Sequence, residues 1–475
     1  MGIRKRLLGW CQRPANTVSV MIRRHTSTFA VLITTAVLLV SFFLISSGSL
    51  LPTPPIAPKL PQPPTDLWDF TASNSTANTI SLDWGNPLVS NGIVYLCAAE
   101  TYVIPSEPPI HPANITPSRQ LGTIYALNKS NGVKLWNLTA QGNIRYLTVI
   151  DGVTYISASD GRYHNGQYGG GNIFALDAGT GSQKWVYKID GDVLSSIISD
   201  GVVYVFFHAS FTLDSYVCAV NASNGRQLWR YNAGYHTYFS SPAFDDDAIY
   251  FGTYRGNYYA VSAKNGSELW NVAVDGRVSG SSTLFDGIVY FNSDDTTYAL
   301  NAQTGEKLWS YPITQYQIGD AGISYFKAGE NVYALNASNG NQIWKFSANE
   351  TIISSLSLID NVIYFCTNET LTALNPANGA QLWSCNTEGD APLAIYDGRV
   401  SRFNYIQPNA VINEGALYYY SGKTLFALDA SNGKSLWNYT AVSNWLFLTV
   451  ANDMVFFSVD NTVYALSGSA VGHPS

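Results

Sequence analysis

Through most of the chain apolar and polar side chains alternate in short runs, and each run stops at a pair such as Asp-Gly or Asn-Gly. SGSSTLFDGIVYFNSDDTTYALNAQTGEKLW (279–309) shows the whole pattern. A period of two sends successive side chains to opposite faces, so the runs predict β-strands; Asp286-Gly287 supplies the positive φ angles of a tight hairpin. Equivalent turns stand at Asn91-Gly92, Asp151-Gly152, Asp200-Gly201, Asp246-Asp247, Asp360-Asn361, Glu414-Gly415 and Asn452-Asp453.

Downstream of most of these turns comes a second, stricter pattern: YALNKSNGVKLW (125–136), FALDAGTGSQKW (174–185), CAVNASNGRQLW (218–229), YAVSAKNGSELW (259–270), YALNAQTGEKLW (298–309), YALNASNGNQIW (333–344), TALNPANGAQLW (372–383) and FALDASNGKSLW (426–437). A strand ends in Asn or Asp, whose side chain closes an Asx-turn, and a Gly follows where φ is positive. The next strand then carries Trp. Each repeat thus predicts four antiparallel strands, A to D. The Trp-to-Trp spacing of 35 to 54 residues brackets the roughly 40–45 of a propeller blade.

The last repeat, NWLFLTVANDMVFFSVDNTVYALSGS, supplies A, B and C and stops before a Trp strand. LWDFTAS (67–73) has the look of that strand, compared with LWNYTAV (436–442), so the two ends are expected to share one blade. The count is then nine. The repeat ending at Trp344 is short between A and B, which leaves eight open.

The N-terminal end reads differently. Phe29 to Leu51 is an apolar run of 23 residues, and no Asp, Glu, Lys or Arg occurs between Arg24 and Lys59. At about 1.5 Å per residue it is long enough for a hydrocarbon core of about 30 Å. Arg4, Lys5, Arg6, Arg13, Arg23 and Arg24 precede it without one acid. Positive residues stay inside. The expectation is a basic cytoplasmic tail (1–27), an uncleaved signal-anchor helix (28–51), a stalk (52–66) with seven prolines, a propeller (67–470) on the outer side of the cytoplasmic membrane, and a short tail (471–475). A cleaved signal peptide is the rival, but the run is longer than its usual ~7–15 residues and no A-x-A site follows.

Composition agrees with a β-rich fold: 46% hydrophobic and 13% aromatic, but only 12% charged against the usual ~25%. Without its basic tail the chain carries 20 basic against 33 acidic residues, which argues against nucleic acid as a partner.

On its eight Asn/Asp-x-x-Asn/Thr-Gly-x-x-x-Trp motifs, one of them with Ser262 at the first position, the chain resembles the PQQ-type β-propellers, over residues 67–468. The resemblance implies a ring of four-stranded blades in which Trp136, Trp185, Trp229, Trp270, Trp309, Trp344, Trp383 and Trp437 pack between neighbours. It leaves function divided, since the family includes quinoprotein dehydrogenases and scaffolds such as the outer-membrane assembly lipoprotein. The dehydrogenases typically use an adjacent cysteine pair, calcium held by Glu and Asn, and an Asp base. None of Cys11, Cys97, Cys218, Cys366 and Cys385 are adjacent, and no catalytic or cofactor-binding residue carries over. Cys366 and Cys385 should lie on strands B and D with C between them, about 10 Å apart and beyond disulfide reach. They are read as buried free thiols.

Insertions are expected at one end of the ring, at 99–122, 159–172, 207–215 and 386–409, where they would build a raised rim for partners. His111, His164, His208 and His236 fall on or near them; one reading is a metal or proton-switched site, the other four separate exposed imidazoles. Asp294-Asp295 reads as a turn rather than a calcium site. Outside the repeated turns, Asn74, Asn114, Asn137, Asn349, Asn368 and Asn438 lie in glycosylation sequons. The reading is therefore a membrane-anchored, non-catalytic binding or scaffold module for protein or glycan, with no cofactor expected. The alternative is a membrane-anchored PQQ-dependent oxidoreductase, with calcium, acting on alcohols or sugars.

Overall fold

At Asp286-Gly287 the chain turns back on itself with φ of 48° and 71°, and Phe285 pairs with Ile288. Asp151-Gly152, Asp200-Gly201 and Glu414-Gly415 repeat it. A two-residue turn with both φ positive matches the right-handed twist of the strands it joins. Alternation and turn chemistry together therefore set each hairpin register.

The computed structural model describes residues 66–467 apart from 72–78, 85–86, 104–117, 160–162, 165–166, 213, 236–238, 313–315, 321, 388–394, 398–409, 422, 441–444, 452–453 and 460–461. These belong to a unit spanning Leu60–Ser475; the other unit, Met1–Lys59, lies outside the described residues, and with it the expected 28–51 span. Among the described residues no helix is long and apolar enough to cross a membrane.

The fold is an all-β propeller of nine four-stranded blades, each ordered A-B-C-D across its sheet. In blade 3 the strands are Gly191–Ser199, Val202–Ala209, Asp214–Asn221 and Gln227–Tyr235. Neighbouring A strands touch in most of the ring, which puts them beside the axis, and D strands form the outer wall. The short repeat ending at Trp344 still makes a full blade, with A at Tyr316–Asp320. In the ninth sheet Trp445–Ala451, Met454–Val459 and Thr462–Ser467 are joined by Asp66–Thr71, which pairs antiparallel with Thr462–Ser467.

Nine apolar clusters fill the nine joints between blades. At eight of the nine joints, the Trp of one blade reaches the C–D turn of the next. Trp136 Nε1 donates to Ala178 O at 2.9 Å, Trp185 to Ala222 O at 2.8 Å and Trp383 to Ala430 O at 2.9 Å. Trp229, Trp270, Trp309 and Trp344 repeat the bond on Ala263, Ala302, Ala337 and Pro376. The indole lies flat against the turn glycine: a Cβ on Gly225 would come within 2.8 Å of Trp185. Trp68, on Asp66–Thr71, donates to Lys129 O at 2.8 Å and covers Gly132 in the same manner. Trp437 packs on Tyr418, with ring centroids 5.8 Å apart, and its N–H finds no acceptor among the described residues.

The acceptor is well chosen. In most blades the N–H of that same residue is tied to its own A–B turn, as Ala178 N is to Gly152 O at 2.9 Å. Its carbonyl is therefore held facing the neighbour. A tyrosine on strand B shares it: Tyr95 and Tyr155 donate to Ala178 O and Ala222 O at 3.2 and 3.3 Å.

Candidate functional site

The A–B and C–D turns are short and alike, so departures from the repeat collect at the B–C and D–A end. Blade 1 extends its B and C strands to 11 residues each, Ile93–Val103 and Ser118–Asn128, against 6 in blade 5. Blade 2 adds a hairpin within 159–172, Tyr163–His164 paired with Gln167–Tyr168. Two expected rim segments are corrected. Blade 3 keeps regular strand through Ala209 and resumes at Asp214, so 207–215 is a short turn whose length went into the ladder. The 386–409 insertion sends Ile395–Asp397 along Ala410–Asn413 in parallel, on the axial edge of blade 8. That strand also touches the A strand of blade 7, making it an extra stave in the axial wall.

Of the four histidines, His164 and His208 lie among the described residues, in blades 2 and 3. His111 and His236 lie outside the described residues, and His164 is placed on the blade 2 hairpin. His208, expected exposed, is 1% exposed because strand B carries it inward; its Nδ1 lies 2.9 Å from Ser215 Oγ and its ring lies parallel to Phe239 at 6.4 Å. Among the described residues no three His, Cys, Asp or Glu converge as metal ligands.

Asp192, His208 and Ser215 fall in one cross-strand row of blade 3, a juxtaposition of nucleophile, base and acid that linear sequence does not reveal. Ser215 is fully buried, however, and Asp192 Oδ1 accepts from Ser159 Oγ at 2.6 Å with Arg145 Nη2 at 3.8 Å. A nucleophile must meet substrate. Asp192 instead satisfies Ser159 across the blade 2–3 joint, while His208 and Ser215 bond each other with the imidazole against Phe239 of blade 4.

Cys97, Cys218 and Cys366 are buried free thiols; Cys385, expected buried, is half-exposed because it stands on the outer D strand. Burial pushes all four thiols up, Cys385 to about 11, so they stay protonated and unreactive at neutral pH. They sit in blades 1, 3 and 7 with no adjacent pair.

Among the sequons, Asn137, Asn349, Asn368 and Asn438 are exposed, whereas Asn74 and Asn114 lie outside the described residues. In the repeated turns the amide is occupied: Asn221 Oδ1 accepts from Ser223 N at 3.0 Å and Ser223 Oγ at 2.6 Å. The same geometry holds Asp177, whose carboxyl is kept below the usual range chiefly by the Thr180 N–H and hydroxyl.

A family model described as outer membrane protein assembly factor BamB matches residues 120–242, 213–318, 317–404 and 370–471. Among curated proteins, tetrathionate hydrolase of Acidithiobacillus ferrooxidans is 29% identical over 100 residues, 20% of this chain and 20% of that one. The serine/threonine-protein kinase AfsK of Streptomyces coelicolor is 33% identical over 100 residues, 20% of this chain and 12% of the kinase. The match thus spans a fifth or less of either relative. Among solved structures, the computationally designed Ika8 protein has a TM-score of 0.50 at 15% identity, covering 69% of this chain and 97% of that one. BamB from Moraxella catarrhalis has a TM-score of 0.46 at 14% identity, covering 85% and 99%. At these identities the likeness is one of fold.

Proposed function

The chain belongs to the PQQ_2 family, described as outer membrane protein assembly factor BamB, and from that premise we propose that it is a non-catalytic binding or scaffold module. The observation that carries the reading is the division of labour in the repeat. Its fixed residues, Trp, Gly and the turn Asn or Asp, are used in joining blades, while the departures gather at the B–C and D–A end. A rigid ring presenting loops on one face is built to hold partners. The proposed partner is a protein or a glycan.

The same reading places the propeller outside the cytoplasmic membrane on the 28–51 anchor and the Pro-rich stalk, with glycans at the exposed Asn137, Asn349, Asn368 and Asn438. It also makes Asp66–Thr71 the clasp of the ring. Tyr439 Oη donates to Asp66 Oδ1 at 3.2 Å, the same link between outer strands that Tyr231 makes with Glu268 at 2.6 Å. Capture with the full chain tests the binding role. A specific partner should be retained by the native chain and lost when residues 161–169 are deleted; retention after deletion, or no specific partner, would count against it.

A further inference from the structure

Blade 7 has a reduced A strand of three residues. Only Ser357–Ile359 pairs with strand B, against Val278–Phe285 in blade 5. The residues just upstream are nevertheless buried: Ile352 is 3% exposed and Ser354 fully buried. Their amides are accounted for. Ile352 N donates to Gly329 O at 2.9 Å, and Ile353 N and Ser354 N share Cys366 O at 2.9 and 3.3 Å. This sharing makes a bulge, and the bulge turns three consecutive carbonyls to one side. Lys327 Nζ meets all three, donating to Ile352 O at 3.3 Å, Ile353 O at 3.4 Å and Ser354 O at 2.5 Å.

Lys327 stands on strand B of blade 6, Ile323–Ala328, two residues after Tyr325. At that position every other blade has a neutral residue, such as Ser157, Asn292 or Cys366. Its ammonium forms no ion pair among the described residues; its partners are the three carbonyls. Three buried carbonyls without donors would be costly, and one ammonium offers the three N–H groups that match them. We propose that the Ile352–Ser354 carbonyls form a monovalent-cation site that Lys327 fills from the neighbouring blade, so that a tethered ammonium holds the blade 6–7 joint where strand pairing is missing. The ligand class is an ammonium ion, tethered in the native chain and replaceable by a free ammonium or methylammonium once the tether is cut back.

Thermal melting of the full chain tests this with Lys327→Met, which fills the space without donors, and Lys327→Ala, which empties it. Each is measured in methylammonium chloride and in tetramethylammonium chloride at one ionic strength, the second cation having no N–H. Lys327→Met should lose roughly 3 °C or more and respond equally to both salts. Lys327→Ala should lose as much and recover in methylammonium only. Should Lys327→Ala fail to fold, refolding yield in the two salts gives the same comparison, with recovery in methylammonium alone expected. Wild-type melting of Lys327→Met, or equal behaviour of Lys327→Ala in both salts, would overturn the proposal.

Discussion

Tyr95 and Trp136 stand on different strands of blade 1 and donate to one atom: Ala178 O of blade 2 accepts the phenol at 3.2 Å and the indole N–H at 2.9 Å, with ring centroids 5.8 Å apart. Either donor alone satisfies the carbonyl. Tyr95→Phe and Trp136→Phe should therefore each cost about 1 kcal/mol, and the double variant more than their sum by roughly 0.5–1 kcal/mol, because only then is a buried acceptor orphaned. Denaturant unfolding of the four proteins checks it; strict additivity would contradict the shared acceptor.

Two glycines of blade 3 separate backbone strain from docking. Gly201 and Gly225 have φ of +73° and +71°, but a Cβ on Gly201 meets nothing within 4 Å whereas one on Gly225 meets the Trp185 ring at 2.8 Å. Both alanine variants pay for the left-handed conformation. Gly225→Ala should be the worse by about 1–3 kcal/mol, the usual cost of overpacking. Equal unfolding midpoints would remove the indole from the explanation.

Alkaline pH should weaken the fold. Burial first, then nearby carboxylates, raises Tyr231 and Tyr250 above the ordinary tyrosine value, and burial does the same for Cys97 and Cys366. A native state that holds protons the unfolded chain releases loses stability as pH rises. The contribution is intact below about pH 8.5, where unfolded cysteines begin to ionise, and falls further above about pH 10 as unfolded tyrosines follow. Melting temperature should be flat to that onset and then drop; a rise above pH 9 would be the wrong sign.

Asp66–Thr71 pairs with Thr462–Ser467 in its own blade, and its Trp68 N–H reaches Lys129 O of blade 1 at 2.8 Å. Trp68→Ala should cost about 3–5 kcal/mol and speed hydrogen exchange in Thr462–Ser467, the strand it covers. Unchanged exchange there would contradict a stabilising contact from Trp68.

These residues show how far the sequence could be read. The four-stranded blade was legible because Asn-Gly and Asp-Gly turns and the Trp strand recur at fixed offsets set by local backbone chemistry, whereas the short repeat ending at Trp344 left eight blades open beside nine. Tyr95 escaped notice because strand B sits at a variable distance from the motif, and its acceptor is in another blade. His208 was misplaced because strand B runs on to Ala209, a length decided by its pairing with Asp214–Asn221. Ile395–Asp397 has no local signal, since a three-residue parallel strand takes its place from the axial edge it joins. The Asp192–His208–Ser215 row likewise exists only once three strands are in register.

The central claim, that this propeller binds rather than catalyses, is tested most directly by titrating the full chain with PQQ and calcium while following melting temperature and dye reduction with alcohols and aldoses. The account predicts no saturable shift and no reduction. A saturable rise in melting temperature accompanied by dye reduction would contradict it.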